Sequence, residues 1–301
     1  VGSEMCIRDR VNYPVPDKKT GQAYEARPVD SQLNADENGF SFYCSYVPYS
    51  QPVTIIFHCI AQEEANGHES VNAATVKAAN TDERSDDAEV YVNSGEFWIE
   101  KSADHYEWQV GEQVQYNVVV ENKKAGTVAR NVTVWDTGMP AGLALSSAED
   151  VSVSGIPQNI TQLTAGTKDV LNQLNPEFYN ETSEKPVNYE FLQEGSGWRL
   201  NISDLPANTP VMISFLCTVT EAANGMESIN VANVQAQNAP VSQDDAEVYV
   251  NTAVLSIEKS FQNPYLAAGD GRAENEFRVG EQVNYQVTVN NLQKGSIARN
   301  L

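Results

Sequence analysis

Short runs of alternating apolar and polar residues fill most of this chain. Between residues 110 and 122, apolar side chains occupy every second position at Val114, Tyr116, Val118 and Val120. This is the period of a β-strand that buries one face, because successive side chains point to opposite sides of a sheet. Turns rich in Gly, Pro and Asn separate such runs, and a helical period is almost absent. The pattern therefore predicts an all-β chain.

One stretch of the sequence occurs twice. Residues 86–102, DDAEVYVNSGEFWIEKS, match residues 244–260, DDAEVYVNTAVLSIEKS, at a constant offset of 158 residues. A long match at constant offset indicates a tandem array, and this stretch spans the seam between two repeats. A unit of this length suits one elaborated immunoglobulin-like sandwich. We therefore predict tandem immunoglobulin-like β-sandwich domains.

The repeat divides the chain into four segments. Residues 1–10, VGSEMCIRDR, contain EMCIRDR, which resembles the translated end of a transposon adapter used in sequencing libraries, so the fold prediction excludes them. Residues 11–93 are predicted to be the C-terminal part of repeat 1, and residues 94–251 the complete repeat 2. Residues 252–301 are predicted to be the N-terminal part of repeat 3. The adapter-like end also leads us to expect truncation at both termini.

Two kinds of turn recur at equivalent positions. An Asn-Gly turn precedes an alternating strand at Asn66 and again at Asn224. The turn KKAG, residues 123–126, follows the strand described above, and the third repeat matches this region at an offset of 169 residues. The segment 146–195 has a weak pattern. There we expect a short helix near residues 167–175, with loops and edge strands around it.

Charge and cysteine content exclude several classes of function. The formal net charge is −22, which argues against binding nucleic acid or an anionic membrane through a basic patch. No apolar run reaches the roughly 18 residues that a membrane span needs. Cys44, Cys59 and Cys217 are interpreted as small buried hydrophobes, with a Cys44–Cys59 disulfide as the alternative.

Three polar residues lie on otherwise apolar strand faces. Lys101 shares its face with Phe97 and Ile99, Asp136 ends a strand, and Asn230 lies on the last alternating strand. An isolated charge buried there would be strongly unfavourable, but in a dry site a lysine and a carboxyl group can share one proton. Neutral Lys101 would then be a nucleophile and the Asn230 amide an electrophile. Asp136 would polarise the amide and shuttle protons as ammonia leaves, giving a Lys–Asn isopeptide bond.

These motifs carry a family resemblance. In order they read Ile-x-Lys ending at Lys101, VGEQVQY from Val110, VTVWDTGMPAGL around Asp136, and Asn-x-Ala-x-Val from Asn230. This order resembles the fimbrial isopeptide-forming domains and the related immunoglobulin-like repeats of Gram-positive surface proteins. The resemblance implies an autocatalytic bond between Lys101 and Asn230 with Asp136 as proton shuttle. The chain departs from the family in Thr-Gly-Met-Pro, where Thr-Leu-Pro is more typical.

The neighbouring repeats keep only parts of this site. The counterpart of Asn230 in repeat 1 is Asn72, and the counterpart of Lys101 in repeat 3 is Lys259. Related repeats also keep the fold without the crosslink, so plainer interpretations stay open. Lys101 could extend to water from the strand end, Asp136 could cap the turn before Pro140, and Asn230 could be an ordinary hydrogen-bonded amide. Asn233 is a rival for Asn230, although it lies on the polar face.

Other candidate sites are weaker. The acidic pairs at residues 86–87 and 244–245 could bind calcium between repeats, but they lack the ligand spacing of a calcium loop, so a solvated acidic linker is favoured. The three histidines have no metal-ligand spacing: His58, His68 and His105. Exposed Trp98, Trp135 or Trp198 could stack on sugars, but for Trp98 and Trp135 a role in covering the outer sheet face is favoured. We predict no turnover enzyme, no metal and no cofactor.

These observations predict a structural repeat segment of a bacterial cell-surface stalk or adhesin, secreted and held at the cell wall. Its partners would be neighbouring repeats of the same chain, with no nucleic acid and no insertion into a membrane. The alternative is an adhesin module without the crosslink, in which the segment Ser146–Gly195 binds a host protein or a glycan.

Overall fold

The structure, a computed structural model, describes residues 5–7, 12–16, 23–28, 31–36, 39–47, 52–147, 151–165, 180–266, 269 and 271–301. Contacts divide the chain into two compact units, residues 1–65 and residues 66–301. Most of the described chain is β-strand, with short 3-10 turns at Glu63–Ala65 and Glu221–Ala223. The all-β prediction is therefore confirmed. Within the described ranges, no helix is long and apolar enough to cross a membrane.

The described residues of the first unit contain three antiparallel strand pairs, β1 with β6, β2 with β3 and β4 with β5. Its strands are β1 (Met5–Ile7), β2 (Asn12–Pro16), β3 (Ala23–Pro28), β4 (Ser31–Asp36), β5 (Gly39–Cys44) and β6 (Ile55–Phe57). Strand β1 lies inside the segment that the sequence analysis set aside. This pairing does not bear on the origin of residues 1–10, which stays a prediction.

The second unit begins with a hairpin, continues through a β-sandwich and ends with another hairpin. Its strands are β7 (Glu69–Ala78), β8 (Thr81–Tyr91), β9 (Phe97–Ala103), β10 (Glu107–Trp108), β11 (Gln113–Asn122), β12 (Val128–Asp136), β13 (Leu143–Leu145), β14 (Ser152–Ser154), β15 (Asn159–Ala165), β16 (Asn180–Pro186), β17 (Tyr189–Glu194), β18 (Gly197–Pro206), β19 (Val211–Val219), β20 (Glu227–Ala236), β21 (Ala239–Val250), β22 (Leu255–Gln262) and β23 (Asn284–Asn291). The repeat boundaries at residues 93 and 251 stay predictions.

Two sheets form the sandwich, which confirms the predicted fold class. One sheet has six strands in the order β10-β21-β20-β12-β18-β17. The other has the order β13-β19-β11-β9, with β14 also paired to β19. Strand β9 is therefore an edge strand, and it packs beside β21 of the opposite sheet. Side chains close this edge, since Ser242 Oγ donates a hydrogen bond to the Phe97 carbonyl at 3.3 Å.

The core lies between these sheets. Strand β11 alternates as the sequence predicted, and four of its apolar side chains have no exposure: Val114, Tyr116, Val118 and Val120. Trp198 also has no exposure and packs edge-on against Phe215 at 5.5 Å. The suggestion that Trp198 stacks on a sugar is therefore wrong, because the core encloses its ring.

Two flanking hairpins among the described residues correspond to parts of the sandwich. Hairpin β7–β8 corresponds to β20–β21, and hairpin β22–β23 corresponds to β9 and β11. Most residues of these hairpins are exposed.

The weakly patterned segment contains strands β14 to β17, as expected of edge strands. The suggested helix at residues 167–175 lies outside the described residues.

The cysteines divide by context. Cys217 is buried, Cys44 is half-buried and Cys59 is exposed, and all three are free thiols. The interpretation of Cys59 as a buried hydrophobe is therefore wrong, and the alternative Cys44–Cys59 disulfide is absent. The same repeat position is buried only where two sheets enclose it, as they do around Cys217.

Candidate functional site

Lys101 lies on the inner face of β9. The strand alternates as predicted, with Phe97, Ile99 and Lys101 all buried. Its backbone N–H donates to Asp244 Oδ2 at 2.7 Å, which ties edge strand β9 to β21 of the other sheet. The side chain of Lys101 has no exposed area, so it does not extend to water. The strand itself therefore directs the ammonium group into the sandwich.

Across the sandwich, Lys101 meets Asp136 at the end of β12. The Nζ–Oδ2 distance is 2.8 Å, and the carboxylate is also fully buried. Its other oxygen, Oδ1, accepts a hydrogen bond from the Gly138 N–H at 3.1 Å. Asp136 therefore caps the turn before Pro140, as the plainer interpretation suggested, and pairs with Lys101 as well. The two charges come from opposite sheets, so this ion pair crosses the core.

Aromatic rings surround the ammonium group. Lys101 Nζ lies 5.3 Å from the ring centre of Tyr116 and 5.4 Å from that of Phe215. Burial lowers the pKa of Lys101 below its ordinary value, and the Asp136 carboxylate offsets part of this change. The Tyr116 hydroxyl is itself buried without a hydrogen-bond partner, and burial raises its pKa. Burial in this pocket therefore shifts the amine toward its uncharged form relative to an exposed lysine.

Asn230 lies on β20, in the sheet that holds Asp136. Asp136 is paired with Ala232, so Asn230, two residues along, faces the same side. Its exposed fraction is 1%, and its amide Oδ1 has no hydrogen-bond partner. Among the described residues no hydrogen bond joins Asn230 to Lys101 or Asp136. Asn233, the rival asparagine, is only half-buried and lies on the opposite face.

Met139 is the residue that sequence reasoning missed. Its sulfur lies 3.3 Å from Asn230 Nδ2 and 3.2 Å from Cys217 Sγ, so it fills the space beside the amide. A thioether is a weak acceptor, which leaves the amide poorly held. Burial raises the pKa of Cys217 to about 12. The available signal was the departure from the family motif, since Met139 is the methionine of Thr-Gly-Met-Pro.

The counterparts in the neighbouring repeats lie in a different environment. Asn72 on β7 is exposed, and so is Lys259 on β22. Lys259 Nζ sits 4.6 Å from the ring centre of Tyr285, and its described ion pairs include no carboxylate. Asn72 and Lys259 are thus exposed, whereas Asn230 and Lys101 are buried.

Other candidates have different roles. Asp244 Oδ2 accepts the hydrogen bond from the Lys101 backbone N–H. The described part of the chain contains no cluster of three metal-ligating side chains.

Two of the tryptophans lie at the surface of the sandwich. Trp98 is 40% exposed with Lys123 Nζ 5.1 Å from its ring centre, and Trp135 is half-buried. A shallow groove of about 360 Å³ runs along β12, β17 and β18. Part of it, Asn188–Glu190, comes from the segment suggested as a ligand-binding region.

Comparison with known proteins gives distant structural likenesses. No protein-family model and no curated protein matches the sequence. The chain is similar to a DUF4466 family protein from Parabacteroides merdae at 7% identity and TM-score 0.31, covering 56% of this chain and 49% of that one. It is similar to the pilus backbone RrgB of Streptococcus pneumoniae at 16% identity and TM-score 0.30, covering 48% and 32%. It is also similar to BcpA*(D312A), the major pilin subunit of Bacillus cereus, at 12% identity and TM-score 0.30, covering 92% of this chain and 78% of that one. The chain thus spans about half of the first protein and about a third of the second.

Proposed function

We propose that this chain is a structural segment of a bacterial surface stalk or adhesin whose complete repeat closes an isopeptide bond between Lys101 and Asn230. The observation that carries the proposal is the ion pair of Lys101 and Asp136, fully buried and set across two sheets. A buried ion pair is poor support for stability alone, because desolvation offsets the attraction between the charges. A reactive role accounts for its position better than a purely structural one.

The reaction follows from the groups in the pocket. Asp136 takes a proton from Lys101, and the neutral amine attacks the Asn230 amide carbon. A new bond forms between Lys101 Nζ and Asn230 Cγ, and the bond between Cγ and Nδ2 breaks. The nitrogen leaves as ammonia after receiving protons that pass through Asp136. The reaction needs no oxidant and no reactant from outside the pocket.

The pocket supports each step. Burial lowers the pKa of Lys101, which increases the fraction of neutral amine. The Asn230 amide oxygen has no hydrogen-bond donor, so a protonated Asp136 would be the group that polarises it. Core side chains exclude water, which would otherwise hydrolyse the activated amide.

The mechanical consequence is a covalent path between two strands. A bond from Lys101 on β9 to Asn230 on β20 would enclose about 130 residues. By the loop-entropy model developed for disulfides, closure of a loop this long stabilises the fold by about 5 kcal/mol. Tension applied along the chain would pass through the bond and leave the hydrogen-bonded core unloaded, as suits a stalk.

The test is the intact mass of the full chain after folding, measured beside single variants of the site. The parent is expected to be lighter than its calculated mass by one ammonia molecule. Lys101→Met, Asp136→Ala and Asn230→Ala are expected to keep their full calculated masses. Lys259→Met, Asn72→Ala and Asn233→Ala serve as matched controls, since each removes the same kind of group outside the pocket, and each is expected to lose ammonia as the parent does.

Two results would contradict the proposal. The first is a parent at full mass with the far-ultraviolet circular dichroism of a β-protein, since the site would then be assembled and unreactive. The second is loss of ammonia that persists in Asn230→Ala. Peptide mapping of the parent identifies the linked residues directly and distinguishes Asn230 from Asn233.

A further inference from the structure

Two seams between repeats are built from the same contacts. At one seam the Asn-Gly turn before β7 meets the turn after β11, and at the other the Asn-Gly turn before β20 meets the turn after β23. We name these contacts joint 1, where Gly67 meets Gly126, and joint 2, where Gly225 meets Gly295. The first member of each pair differs by 158 residues and the second by 169, which are the two offsets of the sequence repeat. The match is therefore a property of the repeat.

Glycine is required on both sides of each joint. Gly67 and Gly126 have φ of +83° and +76°, and a Cβ on Gly126 would lie 2.3 Å from the Gly67 carbonyl oxygen. At joint 2 a Cβ on Gly295 would lie 2.2 Å from the Gly225 oxygen. Backbone meets backbone here at distances that no side chain can enter. The two turns thus interlock as main-chain surfaces.

Asparagine side chains fasten the same joints. The Val128 N–H donates to Asn93 Oδ1 at 2.9 Å, while Asn93 Nδ2 donates to the Val128 carbonyl at 3.0 Å. At joint 2 the Ile297 N–H donates to Asn251 Oδ1 at 2.7 Å. Since Asn93 and Asn251 occupy one repeat position, as do Val128 and Ile297, the same amide holds the next repeat both times.

Two further contacts also recur. The Tyr91 hydroxyl donates to the Gly126 carbonyl, and the Tyr249 hydroxyl donates to the Gly295 carbonyl. Behind the turn, the Ser94 N–H donates to Asn66 Oδ1 at 2.8 Å. Its counterpart is the Thr252 N–H, which donates to Asn224 Oδ1 at 2.9 Å. These bonds fix the linker of each repeat against its own Asn-Gly turn.

We propose that these turns form an interlocking joint that docks each repeat onto the next copy and holds successive repeats in one fixed orientation. The partner of the surface is therefore the neighbouring repeat. Recognition uses main-chain atoms, so the docked turn tolerates different side chains: it reads KKAGTVA at residues 123–129 and LQKGSIA at residues 292–298. Glycine at one position is what the docked turn must supply.

The test measures distances across each joint in the full chain by pulsed electron paramagnetic resonance. Spin labels at Val76→Cys and Met212→Cys span joint 1, and labels at Met212→Cys and Val289→Cys span joint 2. All three positions are exposed. Cys6, Cys44 and Cys59 are replaced by serine to prevent labelling at these positions. Cys217 is kept because it is buried.

Each parent distance is expected to give one narrow distribution. Gly126→Ala is expected to abolish the narrow distribution across joint 1 and keep it across joint 2, and Gly295→Ala is expected to do the reverse. Gly111→Ala is the matched control, because Gly111 has φ of +92° and an added Cβ there meets no atom within 4 Å. Gly111→Ala therefore introduces the same kind of backbone strain at a residue that makes no joint contact. The distance distributions across joint 1 and joint 2 are both expected to stay narrow in this variant.

Three results would overturn the joint. They are a parent distribution as broad as that of Gly126→Ala, narrow distributions in every glycine variant, and broadening across both joints by one substitution. Intact mass on the same samples reports the Lys101–Asn230 bond separately. The joint and the crosslink can therefore each fail without the other.

Discussion

Strands β9 and β22 carry the same tetrapeptide, IEKS, and place its lysine in opposite environments. Lys101 has no exposed side-chain area and pairs with a buried acid, whereas Lys259 is exposed and lies over a tyrosine ring. The asparagines differ in the same way, with Asn230 buried on β20 and Asn72 exposed on β7. Local sequence thus sets which face the side chain is on, and the opposite sheet decides whether that face is buried.

The site belongs to the sandwich as a whole. Lys101 comes from one sheet, and Asp136 and Asn230 come from the other. A hairpin can hold any one of these residues at the correct register, but only two packed sheets remove water from all three. Reactivity is therefore expected where both sheets enclose the three side chains, as they do around Lys101, Asp136 and Asn230.

The largest expected effect separates the repeat with its crosslink from the same repeat without it. In single-molecule pulling of the full chain, the parent is expected to release about 430–470 Å less contour length on unfolding than Asn230→Ala does. The reason is that about 130 residues enclosed by the bond cannot extend. Asn72→Ala, its counterpart in the exposed hairpin, is expected to behave like the parent. Equal contour lengths for the parent and Asn230→Ala would show that no covalent bond encloses the residues between Lys101 and Asn230.

A smaller effect concerns the ion pair itself, measured by urea unfolding in the Asn230→Ala background. Lys101→Met leaves Asp136 as an unpaired buried charge and is expected to reduce the free energy of unfolding by about 3 to 5 kcal/mol. Adding Asp136→Leu is expected to restore most of that loss, because both charges are then gone. Lys259→Met is expected to change stability by less than about 0.5 kcal/mol. Equal losses in the single and double variants would show that the two charges are not coupled.

The smallest effect concerns the buried thiol of Cys217. Burial raises the pKa of Cys217 from 9.0 to about 12, so the folded state keeps the thiol proton after the unfolded state has lost it. Its contribution to stability is therefore present below pH 9.0 and lost as the pH rises toward 12. We compare the free energy of unfolding of the Asn230→Ala variant with that of the same variant carrying Cys217→Ala. The difference between the two should fall by at most about 1.4 kcal/mol per pH unit between pH 9.0 and about 12. A difference for Cys217→Ala that stays constant between pH 9.0 and about 12 would contradict burial as the cause.

Much of the fold could be predicted because burial leaves a period in the sequence. The alternation in β11 and β20 and the offset of 158 residues indicated strands and repeats, and a lysine on an apolar face indicated a buried charge. The errors at Trp198 and Cys59 share one origin. A two-residue period does not say whether a second sheet covers a face, so one residue was expected outside and lies in the core, and the other was expected inside and is exposed.

Other features depend on contacts between distant segments. Met139 reaches Asn230 through a turn whose path no local pattern encodes. The joints likewise bring together glycines that the sequence marks only as turn residues, such as Gly67 and Gly126. Positive φ could be inferred at each of them, but the close approach of two backbones could not, because no side chain records it.

The order of the strands along the chain sets the time at which the site is complete. A chain that emerges with its N-terminus first presents Lys101 on β9 and Asp136 on β12 well before Asn230 on β20. In the proposed reaction, the amine and the acid would have no electrophile until hairpin β20–β21 is synthesised. Bond formation would report that both sheets have docked, and a repeat whose synthesis or export stopped early would stay unlinked and open to proteases. The covalent step would thus act as a quality check on each finished repeat.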